Sequence, residues 1–265
     1  MSNLVTRFPN GVNNTSVGDW NQDMAITDPL KNIVFFEDFA GPNVGFPLAT
    51  SGLAAASNSV WTITVTEGGA GDATSAVTTD AGGALKLTTD AADNDLIFVQ
   101  NKWSPFTFSA GKACYFKTRF KLTDATANAA SVNESEFYFG LMVLDTDPLS
   151  STAGDGVTDG MFFMKEDGTQ NVNFYVQKNA TTGQLTTSSV TTITVNTYTT
   201  LAFAYDGSRF VKLYKDDAYL ATVDLTTTQT DYLPDAALTI SFGVKNGEAV
   251  AKVLTVDYLF CAMER

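Results

Sequence analysis

The stretch Phe203–Val223 constrains the fold more than any other part of the chain. Phe203 and Tyr205 alternate with small residues as far as Asp206-Gly207. Phe210, Lys212 and Tyr214 then alternate against Val211, Leu213 and Lys215 as far as Asp216-Asp217, and Tyr219–Val223 follows. Period-two alternation broken by Asp-Gly and Asp-Asp predicts an antiparallel meander.

The same pattern recurs along the chain. Strands are predicted at Asn32–Phe39, Val60–Thr66, Ala84–Thr88, Leu96–Asn101, Lys112–Leu122, Phe137–Val143, Gly160–Lys165, Asn171–Lys178, Ser188–Val195, Leu238–Val244 and Val250–Phe260. In Lys112–Leu122, Phe116, Thr118, Phe120 and Leu122 face one way, and Tyr115, Lys117, Arg119 and Lys121 the other, as in a sheet with one buried face. Phe137–Val143 is almost wholly apolar, as for a central strand covered on both sides. Gly160–Lys165 and Asn171–Lys178 read as a hairpin. Gly68–Gly83 reads as a loop, and Leu53–Ala56 as at most one helical turn. About a dozen short strands with no amphipathic helix predict an all-β fold, an antiparallel two-sheet jelly-roll sandwich.

The first thirty-one residues differ from the rest. They hold Pro9-Asn10-Gly11, Asn13-Asn14 and Pro29, and their apolar residues are sparse and aperiodic. Such a segment does not fold alone, yet it carries Phe8 and Trp20, which free tails usually lack. The expected organisation is therefore an extended N-terminal arm, residues 1–31, followed by one sandwich domain, residues 32–265. Phe8 and Trp20 are the candidate docking residues, on a neighbour or on the chain's own sandwich; a mobile tail is the alternative.

A hydrophobic content of 44% with 19 Phe fills a sizeable core, so the fold needs no disulfide framework. Cys114 and Cys261 lie inside apolar strand-like runs and read as buried thiols, with a single bridge between them as the alternative. The net charge is −13, with 16 basic residues spread singly. No basic patch forms, so neither nucleic acid nor an anionic membrane is an expected partner. No signal peptide or membrane-spanning run is evident, and synthesis without Sec-type export is expected.

Histidine is absent. That removes Ser-His-Asp and Cys-His catalysis and His-ligated zinc. No phosphate-binding Gly-rich loop occurs, and no cofactor is expected. Asp145, Asp147, Asp155 and Asp159 crowd one loop and Asp90, Asp93 and Asp95 another. Either could hold calcium, although neither follows a defined ligand order, and solvated turn carboxylates are the simpler reading. Sugar contact would use aromatics, for which Trp61, Trp103, Tyr138, Tyr175 and Tyr198 are available. A period-two aromatic stripe is more often core.

The order of features from Phe36-Glu37-Asp38-Phe39, through Trp61, Lys112-Ala113-Cys114-Tyr115-Phe116, Asp145-Thr146-Asp147-Pro148, Asp159-Gly160-Met161-Phe162-Phe163 and Tyr205-Asp206-Gly207, to Val256-Asp257-Tyr258 resembles the concanavalin A-like lectin/glucanase jelly roll. Within it, the chain looks most like structural proteins of tailed bacteriophages, and Asn3–Gly11 looks like the start of such proteins. The resemblance implies a non-enzymatic capsid decoration (cement) protein on the virion exterior. It would bind the major capsid protein and itself, as a homotrimer, and hold neighbours with its arm. The alternative implied is a carbohydrate-binding tail or fibre adhesin, with glycan as partner. Glucanases of this fold carry Glu-x-Asp-x-x-Glu on one concave strand. The nearest match here, Glu134-Ser135-Glu136, puts both Glu on one strand face by alternation but lacks the Asp and the second spaced Glu, so two-carboxylate hydrolysis is disfavoured.

Overall fold

The computed structural model describes residues 30–40, 46–54, 56–57, 60–68, 71–78, 83–124, 128, 132–145, 157–179, 183–225 and 232–265. Residues 1–29 of the predicted arm, with Phe8 and Trp20, lie outside them. The strands are β1 (Asn32–Glu37), β2 (Ala56–Ser57), β3 (Trp61–Thr66), β4 (Thr74–Val77), β5 (Leu85–Thr88), β6 (Leu96–Asn101), β7 (Cys114–Asp124) and β8 (Ser135–Met142). They continue as β9 (Gly160–Lys165), β10 (Asn171–Lys178), β11 (Gly183–Thr192), β12 (Thr199–Tyr205), β13 (Phe210–Lys215), β14 (Ala218–Asp224), β15 (Thr239–Asn246) and β16 (Lys252–Glu264).

Two antiparallel sheets form a sandwich. The first runs β14-β13-β12-β7-β16-β5-β4, with β1 also paired to β16. The second runs β11-β10-β9-β8-β15-β6-β3-β2. The meander predicted from Phe203–Val223 is β12–β14 at the edge of the first sheet. Its turns follow their side chains. Asp206 Oδ1 accepts the N–H of Ser208, Arg209 and Phe210, and Gly207 takes φ +77°, where a Cβ would meet Lys112 N at 2.9 Å. Asp216 and Asp217 both have positive φ, as a two-residue hairpin turn of the right twist requires.

The alternation predicted for β7 holds. Phe116, Phe120 and Leu122 enter the core between the sheets, while Lys117 and Arg119 pair on the outside with Asp217 and Asp257. β16 carries a bulge between Val256 and Tyr258. The extra residue, Asp257, lets both Val256 and Leu259 point inward although they are an odd number of residues apart. Aromatic rings join the layers: Phe120 of the first sheet stacks on Phe139 of the second at 4.3 Å. Phe139 stacks on Phe242, which meets Trp61 edge-on.

Three local expectations need correction. Gly68–Gly83 is not all loop, because Thr74–Val77 forms β4. Its Thr-Ser-Ala-Val sequence is polar, and it is held by β5 and by the bridge Ala49–Ser75. The described residues of Leu53–Ala56 form no helical turn. Leu53 N–H donates to Ala73 O, and Ala56 begins β2, so pairing with neighbouring strands overrides local propensity. The Thr-rich strand predicted from Ser188 begins at Gly183. Cys114 and Cys261 are free and buried. They lie on the paired strands β7 and β16 with their side chains in hydrogen-bond contact, and burial pushes the Cys261 thiol up.

Candidate functional site

Each sheet has a face turned away from the core. On the second sheet, the residues of β8 that point outward are Glu136, Tyr138, Gly140 and Met142, because Phe137, Phe139 and Leu141 fill the core. Tyr138, Phe162 and Tyr175 form a continuous row of rings across β8, β9 and β10, with centroids 5.6 and 5.3 Å apart. Glycine makes room for it. A Cβ on Gly140 would lie 2.5 Å from Phe162 Cβ, and one on Gly243 would lie 2.7 Å from the Phe98 ring.

The row ends in a polar group. Tyr138 Oη donates to Glu136 Oε1 at 3.1 Å, and Lys245, opposite Glu136 on β15, brings its Nζ to 3.8 Å from Glu136 Oε2. Tyr175 Oη donates to Glu166 Oε1 at 2.6 Å, and Asn173 Nδ2 donates to the same oxygen at 3.2 Å. Burial lifts the Glu136 carboxyl to about 7 against the opposing pull of Lys245 and Tyr138. Burial and the Glu166 contact raise Tyr175.

Lys165 lies behind this group. It shares the inward phase of Met161 and Phe163 and is fully buried. Its Nζ donates to the carbonyls of Asn133, Ser135 and Glu166, so it ties the start of β8 to the β9–β10 turn. Burial lowers it to about 7, while Asp167, Glu136 and Glu134 pull upward. Sequence reasoning did not single out Lys165, yet the signal was present: a lone Lys in core phase at the end of Gly-Met-Phe-Phe-Met-Lys.

Glu134 and Glu136 do not form a carboxylate pair on one strand face. β8 begins at Ser135, and Glu134 precedes it in a bend whose carbonyl accepts Gly247 N–H. Beyond Glu136 the outward positions of β8 are Tyr, Gly and Met. Glu136 and Glu166 are each held by a tyrosine of the ring row, Tyr138 and Tyr175. Two-carboxylate glycoside cleavage requires a flanking pair.

The aromatics named as sugar contacts divide. Trp61, Tyr138 and Tyr175 are buried, because both sides of the second sheet bury aromatic rings. Tyr198 lies beneath Arg119 and Lys121, at 4.1 and 4.8 Å. Trp103 is 67% exposed, its N–H held by Asn101 Oδ1. Among the acidic loops, the Asp95 carboxylate accepts the N–H of Gly68 and of Ala92, and Asn246 Nδ2 donates to the carbonyls of Asp90 and Ala92. These oxygens brace a turn. Asp147 and Asp155 lie outside the described residues. Asp145 and Asp159 are both described; Asp159 is buried before β9, and burial raises it. Among the described residues no group of three or more acidic or Cys side chains is arranged to hold a metal.

The outer face of the first sheet is different. Its register sets two rows across the strands. One runs Val34–Ala262–Tyr115–Ala204–Lys212, the other Phe36–Phe260–Lys117–Ala202–Tyr214–Tyr219. Alanines floor the middle and rings stand towards the edges. Of the eight large apolar side chains exposed among the described residues, Val34 (42%), Phe36 (60%), Phe210 (39%) and Tyr219 (58%) lie on this one face. They stand in two groups, Val34 and Phe36 on β1 and Phe210 and Tyr219 on β13 and β14.

No protein-family model matches the sequence, and no curated protein matches it. Solved structures match the fold. A protein of unknown function from Shewanella oneidensis MR-1 aligns with TM-score 0.52 at 16% identity, covering 88% of this chain and 87% of that one. An endo-1,3-β-glucanase from Streptomyces sioyaensis aligns with TM-score 0.53 at 13% identity, over 86% and 95%. The fungal endo-β-1,4-glucuronan lyase of Trichoderma reesei aligns with TM-score 0.50 at 12% identity, over 74% and 89%. The chain thus has the jelly-roll sandwich shared by concanavalin A-like glucanases and lyases. At such identities the likeness is one of fold, and function has to be argued from the site.

Proposed function

We propose that this protein is a non-enzymatic structural component of a virion: a capsid decoration (cement) protein that self-associates, as a homotrimer, and contacts the major capsid protein. The observation that carries this reading is that four of the exposed large apolar side chains among the described residues lie on the outer face of the first sheet. Val34 and Phe36 stand at one edge of the face, and Phe210 and Tyr219 at the other. An edge-to-edge contact between copies buries these rings, at about 25 cal/mol per Å² of apolar area. The outer face of the second sheet supports the same reading, since its Glu136 and Glu166 are each held by a tyrosine of the buried ring row. Phe8 and Trp20 are the docking residues of the arm. Nucleic acid and membrane are not partners in this reading.

Quantitative mass spectrometry of purified virions from the source tests it. A copy number comparable with the major shell protein is expected. Absence from the particle overturns it.

A second reading, a carbohydrate-binding tail or fibre adhesin, is favoured by one observation, the exposed Trp103 beside Asn101. It requires glycan-array binding that Trp103→Ala abolishes, together with a copy number near that of tail parts.

A further inference from the structure

The edges of the two sheets are protected unequally. In the second sheet, β2 is two residues long, and β11 pairs with β10 across a break in register between Val172 and Phe174. In the first, β4 has four residues and meets Ala49 in a bridge. Short, irregular or covered edges discourage pairing with another chain. β1 and β14 lack such protection. Asn32–Glu37 and Ala218–Asp224 contain neither Pro nor Lys, and among the described residues no strand pairs with the outer side of either.

The ladders fix which backbone groups face out. Arg265 N–H donates to Lys31 O. Alternation along an antiparallel pair then turns the N–H and C=O of Ile33, Phe35 and Glu37 toward β16, and those of Asn32, Val34 and Phe36 to the open side. Leu225 N–H donates to Arg209 O, so Val223 and Ala221 bond to β13, and Thr222 and Asp224 face out. The bulge in this hairpin lies nearer its turn, between Leu213 and Tyr214, and Ala221–Asp224 pair regularly.

We propose that β1 of one copy pairs antiparallel with β14 of the next, so that the first sheet continues from copy to copy through main-chain hydrogen bonds. The pairing rests on the proposed self-association and specifies its contact. The strands β14-β13-β12-β7-β16-β1 alternate in direction. A copy added without being turned over therefore presents its β14 antiparallel to β1. With Val34 opposite Thr222, both outer-face rows run on. Thr222 extends the row that reaches Lys212, and Phe36 comes to Tyr219. Charge agrees: Arg265 Nε donates to Asn32 O at the open side, and the same register sets Asp224 opposite Asn32. At the other end, Glu37 and Asp38 turn back to accept the N–H of Phe39 and Ala40. Pairing β1 with itself would leave Phe210 and Tyr219 uncovered. The contact is head-to-tail, and a ring of three copies closes it.

The experiment uses the full chain as the double variant V34C/T222C, oxidised with copper phenanthroline, alkylated and run on a non-reducing denaturing gel. The native Cys114 and Cys261 are buried and stay in place. Facing residues that exchange both hydrogen bonds have Cα atoms about 5.5 Å apart, within disulfide reach. Within one copy the two positions lie on strands five spacings apart, roughly 24 Å, so a bond joining them links two copies. Covalent dimers and trimers are expected from the double variant and none from V34C or T222C alone, with peptide mapping that joins the two substituted positions. Dimers from V34C alone overturn the pairing. A protein that sediments as a trimer without the cross-link also overturns it and leaves self-association standing. A protein that is monomeric at every concentration overturns both. In parallel, Val34→Pro removes only an outward-facing N–H and is expected to weaken association at least tenfold with the circular dichroism spectrum unchanged. A folded Val34→Pro variant that assembles like the native protein overturns the pairing as well.

Discussion

The two outer faces of this sandwich solve the same problem in opposite ways. A sheet that is apolar on both sides must cover its second side or use it to bind something. On the second sheet the cover is lateral: Phe162 lies across Gly140, Tyr138 and Tyr175 flank it, and the row is buried. On the first sheet, alanines keep the floor low and the rings stand at the edges, where Phe36 and Tyr219 remain exposed. A face packed tight by its own rings is committed to stability. A face with a low floor and exposed edges has capacity left for a partner. Structural cost on the second sheet and the association proposed for the first can be separated by substitutions.

The largest effect is expected at Gly140→Ala. Its Cβ would run into Phe162 Cβ and the Met161 carbonyl, and forcing β8 and β9 apart costs about 3 kcal/mol or more. Urea unfolding measures it. A loss below about 1 kcal/mol would mean that the ring row is loosely packed.

Next in size is Glu136→Gln, read as a function of pH. In the unfolded chain this carboxyl ionises near 4.5, whereas burial holds its proton to about 7 in the fold. Ionising it therefore penalises the folded state progressively from pH 4.5 to 7. The penalty is absent below that window and complete above it. Relative to Glu136→Gln, the native protein should lose roughly 3 kcal/mol across the window, at 1.36 kcal/mol per pH unit. Parallel pH profiles for the two proteins would show that Glu136 is more solvated than its surroundings indicate.

Lys165→Met should cost about 2 kcal/mol at neutral pH, because three buried carbonyls lose their donor. Here the pH dependence has the opposite sense. Burial lowers the folded lysine to about 7 from 10.5, so the native protein loses stability relative to the variant as pH falls from 10 to 7. A thermal melt series at those pH values reads it.

On the first sheet, Phe36→Ser and Tyr219→Ser should change unfolding free energy by less than about 1 kcal/mol, since both rings are more than half exposed. Their effect should appear in association. The smallest change is expected from Lys117→Ala. This removes a partly exposed pair with Asp217, worth roughly 0–1 kcal/mol.

Most of the fold was legible because turn chemistry and alternation agree in this chain. Asp206-Gly207 and Asp216-Asp217 marked both turns of the meander, and the alternation of β7 named its inner and outer residues. β4 was not legible. Thr74–Val77 has no apolar alternation, and its pairing with β5 is a long-range event that no local pattern announces. The polar group around Glu136 was half legible. Glu136 could be placed on a strand, but Lys245, Glu166 and Asn173 reach it from three other parts of the chain. Trp61 and Tyr138 looked available to a sugar because exposure depends on packing between strands distant in sequence. The floor of the first sheet was missed for the same reason: Ala202, Ala204 and Ala262 mean nothing singly and form a surface only in register.

Sedimentation equilibrium of the native protein beside the double variant Phe36→Ser/Tyr219→Ser tests the assignment of association to the first sheet most directly. Assembly through the sheet edges predicts a native trimer and a variant that sediments as a monomer with the same circular dichroism spectrum. A native protein that stays monomeric at every concentration, or a variant that stays trimeric, would contradict it.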